Sequence, residues 1–117
     1  MTDFTASIFA SNFVIADPDV TFTRGESNLT HYGQYNTIQR GFTMMNSFCK
    51  TCGTMLWRKG GGFPGMTIAR IGTVDDFSLH DTVLKPEFEQ FGKHRPSWLS
   101  GAVGVQQFHG NHSAGEP

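Results

Sequence analysis

The chain has 117 residues, with nine lysines and arginines against ten aspartates and glutamates, 11 phenylalanines and 14 glycines. This length allows one domain with one core, and the abundance of Phe and Gly favours strands and turns over helices. The near-neutral charge, without clustered Lys and Arg, argues against a nucleic-acid partner. No apolar stretch approaches the ~18 residues of a membrane span, and no signal-peptide pattern is visible at the N-terminus. We therefore expect a cytoplasmic protein with no membrane partner.

Short runs of β-branched and aromatic residues, separated by turn residues, predict six or seven strands. In chain order, the predicted strands cover residues 7–16, 20–23, 29–35, 42–48, 54–58, 66–74 and an edge strand at 87–91. The glycine-rich stretch at residues 60–65 predicts a loop, and residues 96–99 predict one short helical turn. Residues 1–110 are expected to form the domain, followed by a flexible tail at 111–117. The pattern predicts an all-β chain built from twisted antiparallel sheets.

The only two cysteines, Cys49 and Cys52, lie in the sequence FCKTCG. Two thiolates three positions apart at a tight turn can point at one tetrahedral Zn²⁺, and Gly53 is expected to supply a positive φ there. A zinc-knuckle turn is favoured because strands flank the motif and glycine follows the second cysteine. A thioredoxin-like redox pair would be followed by a helix, and none is predicted. Two unliganded thiols are the third interpretation.

Two cysteines do not complete a structural zinc site, which typically has four protein ligands. Histidines could contribute, but none stands at a spacing that marks it as a ligand. The histidines are His31, His80, His94, His109 and His112. The sequence motif alone therefore predicts half of a zinc site.

The stretch at residues 48–58, FCKTCGTMLWR, resembles the second zinc knuckle of the glutathione-dependent formaldehyde-activating enzyme (GFA) family, whose fold is Mss4-like. Other segments resemble the family pattern in the same order along the chain. They are TASIFASNF at 5–13, FTRG at 22–25, FPG at 63–65, IGTVDD at 71–76, KPE at 85–87 and RPSWL at 95–99. The resemblance extends over about residues 5–110 and implies an all-β, Mss4-like domain.

The resemblance also implies a set of zinc ligands. Family members begin with a C-x-C pair, which joins the late C-x-x-C in a structural four-cysteine site. A C-x-C-x-x-C cluster then binds the zinc tied to catalysis on the glutathione adduct of formaldehyde. Met1 stands about where that cluster should end, so we expect an N-terminally incomplete domain without the catalytic zinc ligands. Only Cys49 and Cys52 carry over, as structural ligands.

Two enzymatic hypotheses follow. The first is a carbon–sulfur lyase-like protein that acts on a small-molecule thiol or glutathione adduct, with the catalytic zinc ligands missing. The second is a metal-independent isomerase, cyclase or lyase of a small-molecule biosynthetic pathway, which needs an acid–base pair. The candidates for that pair are His31, Tyr32, Tyr35, Arg70, Asp75, His80 and His94. Among them, we predict His31, Tyr35 and His80 as catalytic residues.

A third hypothesis is not enzymatic. Two chains could each donate Cys49 and Cys52 to one shared structural Zn²⁺ on a twofold axis, which predicts a homodimer. An unpaired sheet edge would favour the same pairing. Alternatively, the chain is a fragment of a longer gene product.

Overall fold

The computed structural model describes residues 6–34 and 43–110, which fall into two compact units. One unit consists of residues 11–75, and the other includes residues 6–10 and 76–110. In the described ranges, strands and short 3₁₀ turns are the regular elements, and none of these turns exceeds five residues. The all-β prediction is therefore confirmed. No helical segment within the two described ranges has the length and apolar character needed to cross a membrane.

A five-stranded antiparallel sheet forms the unit of residues 11–75. Its strands are β1 (Asn12–Ala16), β2 (Leu29–Gln34), β3 (Met44–Cys49), β4 (Met55–Gly60) and β5 (Met66–Arg70). Strands β2 to β5 lie side by side in chain order, and β1 pairs with β5 at the far edge. This topology brings the beginning of the unit, at Asn12, opposite the end of β5, at Arg70.

The buried positions of this sheet are largely polar. Asn46 and Thr67 are each 1% exposed, while the apolar side chains of Met44, Ala69 and Ile71 are 6–8% exposed. The hydroxyl of Thr67 donates a hydrogen bond of 2.7 Å to Asp17 Oδ1, which satisfies a donor that burial would otherwise penalise. The interior of this sheet is therefore partly polar, and at Thr67 a hydrogen bond satisfies the buried group.

The glycine-rich loop lies where the sequence places it, between β4 and β5. Two successive turns form it, in which Phe63 N donates to Gly60 O and Met66 N donates to Phe63 O. A Cβ at Gly60 would lie 2.6 Å from Met44 Sδ, so a glycine allows β3 and β4 to approach here. The loop prediction is confirmed for residues 61–65, whereas Gly60 ends β4.

The strand predicted at residues 20–23 is wrong. This stretch follows a 3₁₀ turn at Asp17–Asp19, and Val20 N closes that turn by donating to Asp17 O. The ring of Phe22 packs edge-to-face on Trp57, with the ring centroids 5.6 Å apart. Phe22, which helps to predict a strand here, packs instead on the side chain of a residue in a neighbouring strand.

Two other predicted strands are shorter than expected. The first begins at Asn12 and not at residue 7. The strand predicted at 66–74 ends at Arg70, where a 3₁₀ turn at Ile71–Thr73 takes over and Val74 N donates to Ile71 O. These ends decide which side chains lie at the edge of the sheet.

The unit that includes residues 76–110 contains little sheet. Its two strands, β6 (Phe88–Glu89) and β7 (Gln106–Gln107), form a short parallel pair. The edge strand predicted at 87–91 is thus present for two residues only. The turn predicted at 96–99 is confirmed, because Leu99 N donates to Pro96 O at 3.1 Å. The tail predicted at 111–117 lies outside the described residues.

Candidate functional site

The two cysteines lie at the turn that joins β3 to β4. Cys49 ends β3, its backbone N–H donates to Thr54 O at 2.9 Å, and its carbonyl accepts from Gly53 N at 2.8 Å. Gly53 has a φ of 78°, as the sequence predicts, and this conformation favours glycine. Local backbone geometry therefore brings both thiols to the same end of the sheet.

Asn28, just before β2, holds this turn in place. Its carbonyl accepts from Lys50 N at 2.8 Å, and its side-chain Nδ2 donates to Thr51 Oγ1 at 3.0 Å. The same Nδ2 lies 3.6 Å from Cys49 Sγ, within reach of a hydrogen bond to sulfur. The sulfur of Cys49 is thereby positioned by a neighbouring segment as well as by its own strand.

The Cys52 side chain is exposed, and its sulfur lies 3.1 Å from Thr54 Oγ1. That side-chain hydrogen bond is the main cause that lowers the pKa of the Cys52 thiol, followed by hydrogen bonds with the Thr54 backbone and with Cys49. Hydrogen bonding to a thiolate favours the ionised form, which is the form that acts as a nucleophile or metal ligand. The turn therefore favours a reactive, accessible sulfur beside a second one.

Thiolates suit zinc, but a closed zinc site needs about four ligands. Within residues 6–34 and 43–110, no group of three or more His, Cys, Asp or Glu side chains could hold a metal ion. The described part of one chain therefore fits half of a tetrahedral zinc site and does not fit a whole one. We assign no reaction step to a metal.

The thiols open into a groove with a volume of about 820 Å³, formed entirely by residues of the five-stranded unit. The ends of β3 and β5, the start of β4 and the segment before β2 contribute to its walls. Its polar side chains include Arg24, Asn28, Cys49, Cys52, Arg70 and Asp75. A space of this size is in the range of small-molecule sites in proteins.

Arg70, the last residue of β5, is the buried cation of this groove. Its side chain is 8% exposed, and its Nη1 donates a hydrogen bond of 2.7 Å to Asn12 Oδ1 on the paired strand. Its Nη2 is buried and has no hydrogen-bond partner among the described residues. Burial lowers the pKa of Arg70. The sequence suggests Arg70 as a polar candidate, but only the pairing of β1 with β5 reveals its burial.

Of the three catalytic residues predicted from the sequence, the structure describes His31 and His80, which belong to different units. His31, on β2, is exposed, and its Nδ1 lies 2.7 Å from Ser47 Oγ on β3. It is not among the described residues that line the groove. His80 belongs to the other unit, where its ring packs edge-to-face on Phe77 with the centroids 4.7 Å apart. Tyr35 lies outside the described residues.

Comparison with protein-family models finds a match between residues 2–94 and the family described as glutathione-dependent formaldehyde-activating enzyme. The match spans more than half of the 117-residue chain and includes the cysteine turn and every residue that forms the groove. Comparisons with curated proteins and with solved structures found no match. The groove therefore lies wholly within the part of the chain that matches the family.

Proposed function

The chain belongs to the glutathione-dependent formaldehyde-activating enzyme family, whose Mss4-like fold it shares, and we propose that it acts as a carbon–sulfur lyase on a small-molecule thiol adduct. Family membership supports a lyase-type activity. The observation that carries the finer proposal is the pair of thiols opening into a groove of about 820 Å³. A glutathione adduct of a small aldehyde is the substrate class that fits both.

In the reaction we propose, the carbon–sulfur bond of a hemithioacetal breaks. The hydroxyl of the adduct loses its proton, its oxygen forms a carbonyl, and the sulfur leaves as a thiolate that takes up a proton. The reverse reaction adds a thiol to an aldehyde. The chain contributes an open groove that carries several polar side chains, which orient the adduct relative to the groups that move the proton. The acid–base roles suggested by the sequence for His31, Tyr35 and His80 remain predictions.

Two-dimensional exchange NMR on a mixture of glutathione and ¹³C-formaldehyde tests this proposal. We expect the wild-type protein to raise the exchange rate between free and glutathione-bound formaldehyde above the spontaneous rate. The double variant Cys49→Ser/Cys52→Ser should lose most of this increase. Lys93→Gln, which changes an exposed side chain of the other unit, is the matched control. A wild-type rate equal to the spontaneous rate, with and without added zinc, contradicts the proposal.

A second candidate function, a zinc-bridged homodimer, is favoured by the exposure of Cys52 beside Cys49. Each of two chains would supply two thiolates, so that one Zn²⁺ on a twofold axis gains four ligands. Because metal binding and folding are coupled, a chelator should then dissociate and destabilise the protein. The substitution Cys49→Ser should have the same effect.

Native mass spectrometry with metal quantification, on protein purified without added zinc, tests the bridged dimer. One zinc per two chains, lost together with the dimer in Cys49→Ser, is the expected result. One zinc per chain, or a chain without zinc, overturns it.

Because both cysteines are free thiols, we also propose the cytoplasm as the compartment, where thiols stay reduced.

A further inference from the structure

The groove beside the thiols contains a cation whose hydrogen bonding is incomplete. Arg70 is 8% exposed. Within the described ranges, its guanidinium group makes one hydrogen bond, from Nη1 to Asn12. Its Nη2 is buried without a partner there. A buried donor without an acceptor costs the desolvation of that group, and the cost is larger for a charged group. The arrangement is therefore incomplete without an acceptor for Nη2.

No ion pair between Arg70 and a carboxylate occurs in the described part of the chain, although Asp75 contributes to the same groove. A second guanidinium, that of Arg58, lies close enough for the charge of Arg70 to act on it. Burial first, and then the charge of Arg70, lower the pKa of Arg58 to about 10. Two partly buried cations near one another are stabilised by an anion between or beside them.

Arg70 contributes to the groove lining, so a ligand in the groove would lie against its side chain. Nη1 donates one N–H group to Asn12, whereas both N–H groups of Nη2 lack an acceptor among the described residues. A substrate carboxylate can supply that acceptor. Guanidinium–carboxylate hydrogen bonds are among the stronger ones in proteins.

We propose that Arg70 is a specificity-determining residue, which binds a carboxylate of the substrate while its sulfur end lies near Cys49 and Cys52. The inference rests on the proposed function for the identity of the sulfur end, but the anion site stands on Arg70 itself. The substrate class is accordingly a thiol adduct that carries a free carboxylate. A neutral thiol adduct of the same size should bind poorly.

Isothermal titration calorimetry with S-methylglutathione and with its dimethyl ester tests the anion site without any turnover. The wild-type protein should bind the acid roughly tenfold or more tightly than the ester, as expected for a charge-assisted hydrogen bond in a buried place. Arg70→Gln should bring this ratio close to one. Lys93→Gln also removes one positive charge but lies outside the groove, and should keep the wild-type ratio. An unchanged ratio in Arg70→Gln overturns the proposal.

Arg70→Lys keeps the charge and serves as a second test if the Arg70→Gln variant does not fold. It should fold and show an intermediate ratio, because ammonium does not reproduce the guanidinium geometry. If neither variant folds, the wild-type comparison decides, since equal affinity for acid and ester overturns the proposal. Displacement of S-methylglutathione by inorganic phosphate at lower concentration than by acetate would overturn the choice of carboxylate.

Failure of this inference is distinguishable from failure of the proposed function. Suppose the protein binds the acid more tightly than the ester, depends on Arg70 for this, and does not accelerate formaldehyde exchange. This result supports the anion site and contradicts the proposed lyase activity. Accelerated exchange, together with equal affinity for the acid and the ester, supports the lyase activity and contradicts the proposed role of Arg70.

Discussion

The two units of the molecule are stabilised in different ways. Residues 11–75 form a five-stranded ladder in which each strand is held by at least one neighbour over several residues. The unit that includes residues 76–110 relies on 3₁₀ turns, on a parallel pair only two residues long and on backbone hydrogen bonds between the segments at 89–93 and 108–110. An ordered ladder fixes side-chain direction at every second residue, which short turns do not. Cys49 and Arg70 belong to strands of the ladder, and Cys52 lies in the turn between β3 and β4, so the ladder can maintain a binding geometry.

Side-chain hydrogen bonds add to the backbone hydrogen bonds of the second unit. Glu89 accepts hydrogen bonds from Arg95 Nη2 at 3.1 Å and from Ala102 N at 2.6 Å, and Arg95 also contacts Gln107. This network ties three segments of the unit to β6. If the comparison is correct, changes in the ladder should cost more free energy of unfolding than changes in this network.

The largest effect is expected for Ile71→Ala, in the 3₁₀ turn that follows β5. Ile71 is 6% exposed, so truncation removes buried methyl groups and leaves a cavity, at a cost of about 2–5 kcal/mol. Urea denaturation followed by circular dichroism measures the loss. Val103→Ala in the second unit is the control, because Val103 is 94% exposed and its truncation should change stability by less than about 0.5 kcal/mol. Equal losses of unfolding free energy in the two variants would contradict the proposed difference between the units.

The next effect concerns the polar interior of the ladder. Thr67→Val keeps the shape of a side chain that is 1% exposed but removes the hydroxyl that donates to Asp17, at a cost of about 1–2 kcal/mol. Thr21→Val, an exposed threonine in the same unit, should stay within about 0.5 kcal/mol of wild type in the same denaturation experiment. A neutral Thr67→Val would mean that the buried hydrogen bond contributes little.

In the second unit, Glu89→Gln weakens two hydrogen bonds and removes one charge. The side chains of Glu89 and Arg95 are 29% and 28% exposed, so water screens part of the pair, and we expect a loss of about 1 kcal/mol. Glu87→Gln removes the same charge from an exposed neighbour and should leave the denaturation midpoint unchanged. A loss larger than that of Thr67→Val would reverse the order of the two units.

The ladder is the region that the sequence predicts best. Strands β2 to β4 and the glycine-rich loop are local patterns of alternation and turn residues and lie close to where the pattern indicates, while β5 begins as predicted and ends four residues early. The C-x-x-C turn with a positive φ at Gly53 is also local, because three residues and one glycine determine its geometry. Features that depend on near neighbours in the chain are therefore predictable.

The features that the sequence misses depend on distant pairing. Residues 20–23 have the composition of a strand, but composition does not say whether a neighbouring edge is available. The parallel pairing of Phe88 with Gln106 joins segments that no local signal connects. Arg70 is suggested as one of several polar candidates, and only the register with Asn12, 58 residues earlier, shows that it is buried. The groove and its buried arginine could therefore be recognised only from the structure.

The smallest effect is a pH dependence in the second unit. The Asp76 carboxylate accepts hydrogen bonds from Ser78 Oγ at 2.6 Å and Ser78 N at 3.0 Å, and the side-chain bond is the main cause that lowers the pKa of Asp76. The unfolded chain therefore binds a proton at higher pH than the folded chain does. The stabilisation by Asp76 is present above the unfolded pKa of about 3.8 and is lost as the pH falls through the folded value.

Asp76→Asn should accordingly be less stable than wild type near neutral pH, and the difference should shrink on acidification below the ordinary aspartate range. Thermal melts of both proteins across that range measure it. Ser78→Ala removes the strongest donor and should reproduce most of the pH dependence, while Ser100→Ala, an exposed serine of the same unit, should not. Because Asp76 is exposed, the effect should be smaller than that of Glu89→Gln. A larger effect would mean that the 3₁₀ turns stabilise this unit more than the network around Glu89 does.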